Sequence, residues 1–149
     1  MEFREARRSD LAAIVAMLAD DGLGAGREST AGEPADCYVR AFEEIAADPN
    51  NELIVVCSGD EIVGTLQLTF IPNLTFQGGR RAQIEGVRVK NAARGRGIGR
   101  EMMAWAIARA REKGCRLLQL TSNKQRTDAI RFYQSLGFKA SHEGMKLYL

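Results

Sequence analysis

The chain has 149 residues, 45% of them hydrophobic and 27% charged, with a net charge of +2. This is enough for a single domain with a sizeable core, and a balance so near neutrality supplies no extended basic stripe for a nucleic-acid duplex. Three widely spaced cysteines (Cys37, Cys57, Cys115) without a CxxC pair, and a single histidine (His142), argue against a Cys/His zinc centre.

Met1–Ala6 reads as a short strand with Phe3 turned inward. Its charges exclude the apolar core of a signal peptide. Ser9 is a fitting N-cap for a helix over Asp10–Leu18, with Leu11, Ile14, Val15 and Leu18 at helical spacing. The stretch from Asp20 to Gly32 is too glycine-rich for a regular element and long for a connection, so it is a functional loop or disordered. A second helix runs from Pro34 to Ala47 with Tyr38, Ala41, Phe42 and Ile45 on one face, and Pro49-Asn50 ends it. Glu52–Cys57 and Glu61–Phe70 form a hairpin across Ser58-Gly59-Asp60. Pro72–Gly79 connects to a further strand, Gln83–Val89, in which Gly86 marks a bulge. A helix over Arg100–Lys113 buries Met102, Met103, Trp105, Ala106, Ile107 and Ala110. Arg116–Leu120 is a strand, Thr127–Leu136 a helix closed by Gly137, and Phe138–Ala140 and Met145–Leu149 are strand-like. Early helices, a hairpin sheet, then alternating strands and helices describe a mixed α/β domain over residues 1–149. No apolar run approaches the roughly 20 residues that span a bilayer. The expectation is a cytoplasmic protein with reduced thiols and no membrane or nucleic-acid partner.

Between strand and helix lies Arg94-Gly95-Arg96-Gly97-Ile98-Gly99. Glycines let a backbone approach a ligand closely, and the helix start behind them offers unpaired N–H groups and the positive end of a dipole. Arg94, Arg96 and Arg100 add full charges. The P-loop is excluded because no Lys-Ser/Thr pair follows, and the dinucleotide fingerprint because Arg100 stands at its third glycine. Taken alone, the loop is a pyrophosphate cradle or a tight basic turn without a ligand. A second run, Ala129-Ile130-Arg131-Phe132-Tyr133-Gln134-Ser135-Leu136-Gly137-Phe138, reads alone as core anchors with a left-handed helix cap. Tyr133 there is a packing residue with its hydroxyl at the surface, or a functional one.

Together, in this order and spacing, the two runs resemble the GNAT superfamily of acyl-CoA-dependent N-acetyltransferases. Arg94, Gly97 and Gly99 match its R/Q-x-x-G-x-G/A pattern, and Ala129–Phe138 its A-x-x-x-Y-x-x-x-G-F pattern. The resemblance implies a mixed, largely antiparallel sheet of about six to seven strands flanked by about four helices, splayed between strands 4 and 5. It also implies acetyl-CoA as co-substrate, with no metal. The backbone of Arg94, Gly95, Arg96, Gly97, Ile98 and Gly99 would hold the pyrophosphate. Arg96 and Arg100 are candidates for its oxygens, or solvated surface arginines. Val87 and Val89 would hydrogen-bond the pantetheine arm. An ammonium must lose a proton before it attacks a thioester. Glu85 is the candidate base, although ordinary alternation also accounts for it as an outward strand residue. The family places a tyrosine where Tyr133 stands, the candidate acid for the leaving thiolate. One departure is Arg126, where the family commonly has asparagine; Asn123 lies three residues earlier, a candidate for capping the helix or touching pantetheine.

Cys115 lacks a nearby histidine in sequence, so direct attack in a ternary complex is preferred to a covalent acetyl-enzyme. His142 reads as a surface residue. The acidic loop residues Asp20, Asp21, Glu28 and Glu33 would favour a cationic acceptor. A small-molecule amine or amino acid is the expected acceptor, with a protein N-terminus or lysine as the alternative. A non-catalytic acyl-CoA-binding regulatory module is the reading from another class. Met145–Leu149 offers an edge through which a homodimer could form.

Overall fold

The computed structural model describes residues 1–22, 25–30 and 32–149. Leu23, Gly24 and Ala31, within the loop expected over Asp20–Gly32, lie outside the described residues. Five strands form one sheet in the order β1-β2-β3-β4-β5: β1 (Glu2–Glu5), β2 (Asn51–Ser58), β3 (Glu61–Ile71), β4 (Arg81–Val89) and β5 (Leu117–Gln119). The first three pairings are antiparallel and the β4–β5 pairing is parallel. Helices α1 (Leu11–Ala19) and α2 (Asp36–Ala47) precede β2. Between β3 and β4, α3 (Thr75–Gly78) is a single turn in which Phe76 and Gln77 are left-handed. Helix α4 (Ile98–Glu112) follows the glycine loop, and α5 (Thr127–Ser135) follows β5.

Strand alternation divides the core between two faces. Ile54, Val56, Leu66, Leu68, Phe70, Ala82 and Ile84 pack with Met102, Met103, Ala106 and Ala110 of α4. On the other face Val55 and Cys57 pack with Ile14 and Leu18 of α1. The inward placement of Phe3 holds: it stacks on Trp105 with ring centroids 5.3 Å apart and planes 5° apart. Such a pair adds about 0.5–1.5 kcal/mol beyond its burial.

Three expectations are corrected. Ser9 does not cap the first helix. A 3-10 turn over Arg8–Asp10 leads into α1, and the carboxylate of Asp10 accepts the Arg7 N–H at 2.7 Å and a two-pronged contact from Arg4 at 2.7 and 3.1 Å. The Arg4 hydrogen bond holds the Asp10 carboxyl below the usual carboxylate range despite burial. Asp10 is the N-cap residue of α1, but its carboxylate turns back to these donors and makes no capping hydrogen bond to the helix among the described residues. Among the described residues the sheet has five strands, not six to seven. Phe138 spends its apolar surface on Tyr133, edge-on at 5.9 Å, and its N–H bonds Tyr133 O at 3.2 Å, so it ends α5 instead of starting a strand. Met145–Leu149 has the apolar content of a strand without a ladder: Met145, Leu147, Tyr148 and Leu149 are exposed. A short helix, α3, also joins the four expected.

Candidate active site

Strand β4 sets the site. Arg81, Ala82 and Gln83 pair with Leu117, Leu118 and Gln119, and the pairing ends there while β4 continues to Val89. The expected splay between strands 4 and 5 is therefore present. On the β3 side the register passes from Gln67 opposite Glu85 to Thr65 opposite Arg88. Three steps along β4 thus match two along β3, a bulge centred on Gly86 at φ +60°. The bulge changes which way the chain faces. Val87 and Val89 stay against the α4 core, as Ile84 does. Glu85 and Arg88 share the opposite face, that of α1. Without the extra residue, alternation would send Arg88 into the core.

Beyond Val89 the chain makes a 3-10 turn over Asn91–Ala93 and enters the glycine loop. Gly95 and Gly97 take φ of +76° and +82°, a region costly for residues with a Cβ. Arg94 donates its N–H to Asn91 O and Arg100 donates to Gly97 O. Among the described residues, the N–H groups from Gly95 to Gly99 make no backbone hydrogen bond. They stand at the start of a 15-residue helix without a side-chain cap. That donor run is what an anion cradle requires. Ile98 is buried, Gly99 half-buried, and Arg96 and Arg100 exposed. Arg94 is used structurally, donating through Nε to Val89 O (3.2 Å) and through Nη2 to Asp20 O (3.1 Å). It thereby ties the end of α1 to the end of β4. A Cβ at Gly99 would lie 3.5 Å from Phe132 and 4.0 Å from Val89, so loop, β4 and α5 converge there.

Tyr133 sits in α5 between Phe132 and Phe138, both edge-on. Burial pushes its phenol above the ordinary value, and the guanidinium groups of Arg126 and Arg88 pull it back part of the way. The phenol is therefore a proton holder at neutral pH, which suits an acid. Gly137 closes the helix at φ +93°, as expected. Asn123 is exposed and organises the turn before α5: its Oδ1 accepts the Gln125 N–H at 2.9 Å and its carbonyl the Arg126 N–H at 2.9 Å. Glu85 is exposed, and among the described residues no hydrogen bond or ion pair joins it to Tyr133 or to the loop.

Sequence reasoning missed the group that links these elements. Arg88 Nη2 bridges to Asp21 Oδ2 at 2.9 Å, and Arg126 Nη2 meets the same oxygen. Asp21 follows α1, Arg88 lies beyond the bulge, and Arg126 is the N-cap residue of α5. The acidic loop is thus less available to a cationic acceptor than its composition suggested. Asp21 is matched by arginines, and Glu28 accepts from the Tyr38 hydroxyl at 2.8 Å. His142 is exposed and pairs with the neighbouring Ser141 hydroxyl. Burial pushes the Cys115 thiol up, against a nucleophilic role. Among the described residues no group of three His, Cys, Asp or Glu could hold a metal ion, and no helix is long and apolar enough to cross a membrane.

Comparison with known proteins agrees with this architecture. Residues 23–138 match the model of the acetyltransferase (GNAT) family. Aminoalkylphosphonate N-acetyltransferase of Salmonella typhimurium is 35% identical over 95 residues, 64% of this chain and 61% of that protein. Glucosamine 6-phosphate N-acetyltransferase of Trypanosoma brucei is 34% identical over 88 residues, 59% of this chain and 58% of that protein. The alignments thus span about three-fifths of these relatives' own lengths. A crystal structure of a transcriptional regulator from Bacillus halodurans superposes with a TM-score of 0.96 at 59% identity, covering 99% of both chains. The matched region takes in the bulged strand, the glycine loop and the whole of α5, and with them the splayed β4–β5 pair. On that evidence the chain belongs to the acetyltransferase (GNAT) family.

Proposed function

We propose that this protein transfers the acetyl group of acetyl-CoA to a small primary amine by direct attack in a ternary complex. The observation that carries the reading is the run of N–H groups from Gly95 to Gly99 at the start of α4, without a backbone partner among the described residues, beside a β4 edge that β5 has left. The first suits a pyrophosphate and the second an extended pantetheine arm pairing with Val87 and Val89. Acetyl-CoA would supply an electrophilic thioester carbonyl. Glu85 would take the proton of the attacking ammonium, directly or through water, and Tyr133 would give one to the departing thiolate. Arg96 and Arg100 would meet phosphate oxygens from the exposed side of the loop. Asn123 would act by fixing the turn that sets the start of α5. The two curated relatives are N-acetyltransferases whose named substrates are an aminoalkylphosphonate and an amino-sugar phosphate. This favours a small-molecule acceptor over a protein N-terminus or lysine.

The test is release of free thiol from acetyl-CoA across a panel of amines, after calorimetry has measured acetyl-CoA binding. The expected result is binding together with amine-dependent release, and Glu85→Gln lowering the rate about a hundredfold at neutral pH. Absence of binding overturns the reading. Binding without release from any amine would leave a non-catalytic module, the reading to which the regulator from Bacillus halodurans lends weight.

We also infer that two copies pair through the C-terminal segment. Met145, Leu147, Tyr148 and Leu149 expose 87% or more of their surface in the single chain, a cost that association removes. The sheet ends on β5, whose outer edge can take an added strand. Light scattering is expected to give a dimer for the natural chain and a monomer for Leu147→Asp; a monomeric natural chain refutes the pairing.

A further inference from the structure

The Arg88–Asp21–Arg126 cluster lies on the α1 face of the sheet, at the meeting of the β4 bulge, the end of α1 and the start of α5. Two guanidinium groups share one carboxylate oxygen, Oδ2 of Asp21. Arg88 is well buried, its side chain 14% exposed. Its Nη1 donates to Val87 O at 2.9 Å, its Nη2 is engaged by Asp21, and its Nε is buried without a hydrogen-bond partner among the described residues. A buried donor of that kind costs stability unless something occupies it. Arg126 keeps 34% of its side chain exposed, so the cluster is reachable from solvent. Burial pushes the Arg88 guanidinium below its ordinary value, Asp21 opposes this, and Arg126 and Arg27 push the same way as burial. The fields of Arg88 and Arg126 also reach the phenol of Tyr133.

We propose that Arg88 and Arg126 form an anion subsite of the acceptor pocket, so that the favoured acceptor is a short amine carrying a carboxylate, phosphonate or phosphate at its far end. This rests on the acetyl-transfer reading above and narrows its acceptor. The incoming anion takes over the guanidinium contacts that Asp21 makes in the single chain. Arginine forks suit such two-oxygen groups better than a single point contact does. Holding the anion there fixes the distance from the subsite to the attacking nitrogen. The same positive field also favours the neutral, nucleophilic form of that nitrogen.

The experiment compares 2-aminoethylphosphonate, β-alanine and n-propylamine in the thiol-release assay, with natural chain, Arg126→Gln and Asp21→Asn. The phosphonate and carboxylate arms separate the two anion chemistries. The expected result is kcat/KM at least about tenfold higher for an anionic amine than for n-propylamine, a preference that collapses in Arg126→Gln while KM for acetyl-CoA holds. Methylphosphonate is expected to raise the thermal midpoint of the natural chain. It should do so more strongly in Asp21→Asn, where its competitor is gone, and not in Arg126→Gln. Equal or better turnover of n-propylamine overturns the subsite, as does a KM for acetyl-CoA that rises in Arg126→Gln. So does a methylphosphonate response that Arg126→Gln leaves intact. A methylphosphonate response with no thiol release from any amine supports the subsite and overturns the acetyl-transfer reading, so the two failures are distinguishable.

Discussion

Tyr133→Phe is expected to lower kcat by about 10²–10⁴-fold, with KM for acetyl-CoA little changed. The substitution keeps the ring that meets Phe132 at 5.3 Å and Phe138 at 5.9 Å, so the packing of α5 on the core survives. What is lost is one O–H. Burial raises the phenol's pKa, against the smaller pull of Arg126 and Arg88, so the group stays protonated through neutral pH and into the alkaline range. An acid must hold its proton until the leaving group needs it, and a desolvated phenol does so. The sign of the pH effect follows. On the alkaline side the natural chain should lose rate as pH rises past the raised pKa of Tyr133, and Tyr133→Phe should lack that alkaline limb. If Tyr133 only packs, phenylalanine should serve as well, and steady-state kinetics would show natural rates. The midpoint of thermal unfolding provides the control, since both outcomes require a folded chain.

The features legible in the sequence are those in which backbone conformation dictates residue type. Gly95 and Gly97 occupy positive φ, and Gly137 caps α5 in the same region, so these positions announce themselves without a partner. The hairpin of β2 and β3, the bulge at Gly86 and the inward Phe3 were legible for similar local reasons. The Arg88 cluster was not. Its three side chains come from positions 21, 88 and 126, and simple alternation assigns Arg88 to the wrong face unless the bulge is counted first. The departure at Arg126 was visible as an oddity, but its partner Asp21 lay in a loop that looked merely acidic. Asp10, not Ser9, stands at the start of α1, and its carboxylate is held by Arg4 of β1, a partner that local sequence does not reveal. The last two strands failed for a different reason. Alternating apolar residues describe a strand's side chains but cannot supply a neighbouring backbone. Met145–Leu149 has the pattern without the ladder.

Gly97→Val is expected to weaken acetyl-CoA binding by about 30–100-fold while leaving the fold intact. The position has φ +82°, and a β-branched residue there opposes the left-handed conformation by at least about 1–2 kcal/mol. A Cβ at Gly97 would meet no heavy atom within 4 Å, so the substitution does not collide with the core. The loop can relax toward negative φ, and in doing so it turns the N–H run away from a common focus. Calorimetric titration with acetyl-CoA measures the loss, and the thermal midpoint measures the fold. Gly99→Ala separates conformation from bulk: its Cβ would make ordinary contact with Phe132 at 3.5 Å, and its φ is not in the left-handed region. A methyl there should affect binding only if the ligand lies against the backbone at that point. Natural affinity in Gly97→Val would mean that the loop is a basic turn and not a cradle. Weak binding in Gly97→Val with a normal midpoint would assign its geometry to the ligand, because nothing in the surrounding protein requires it.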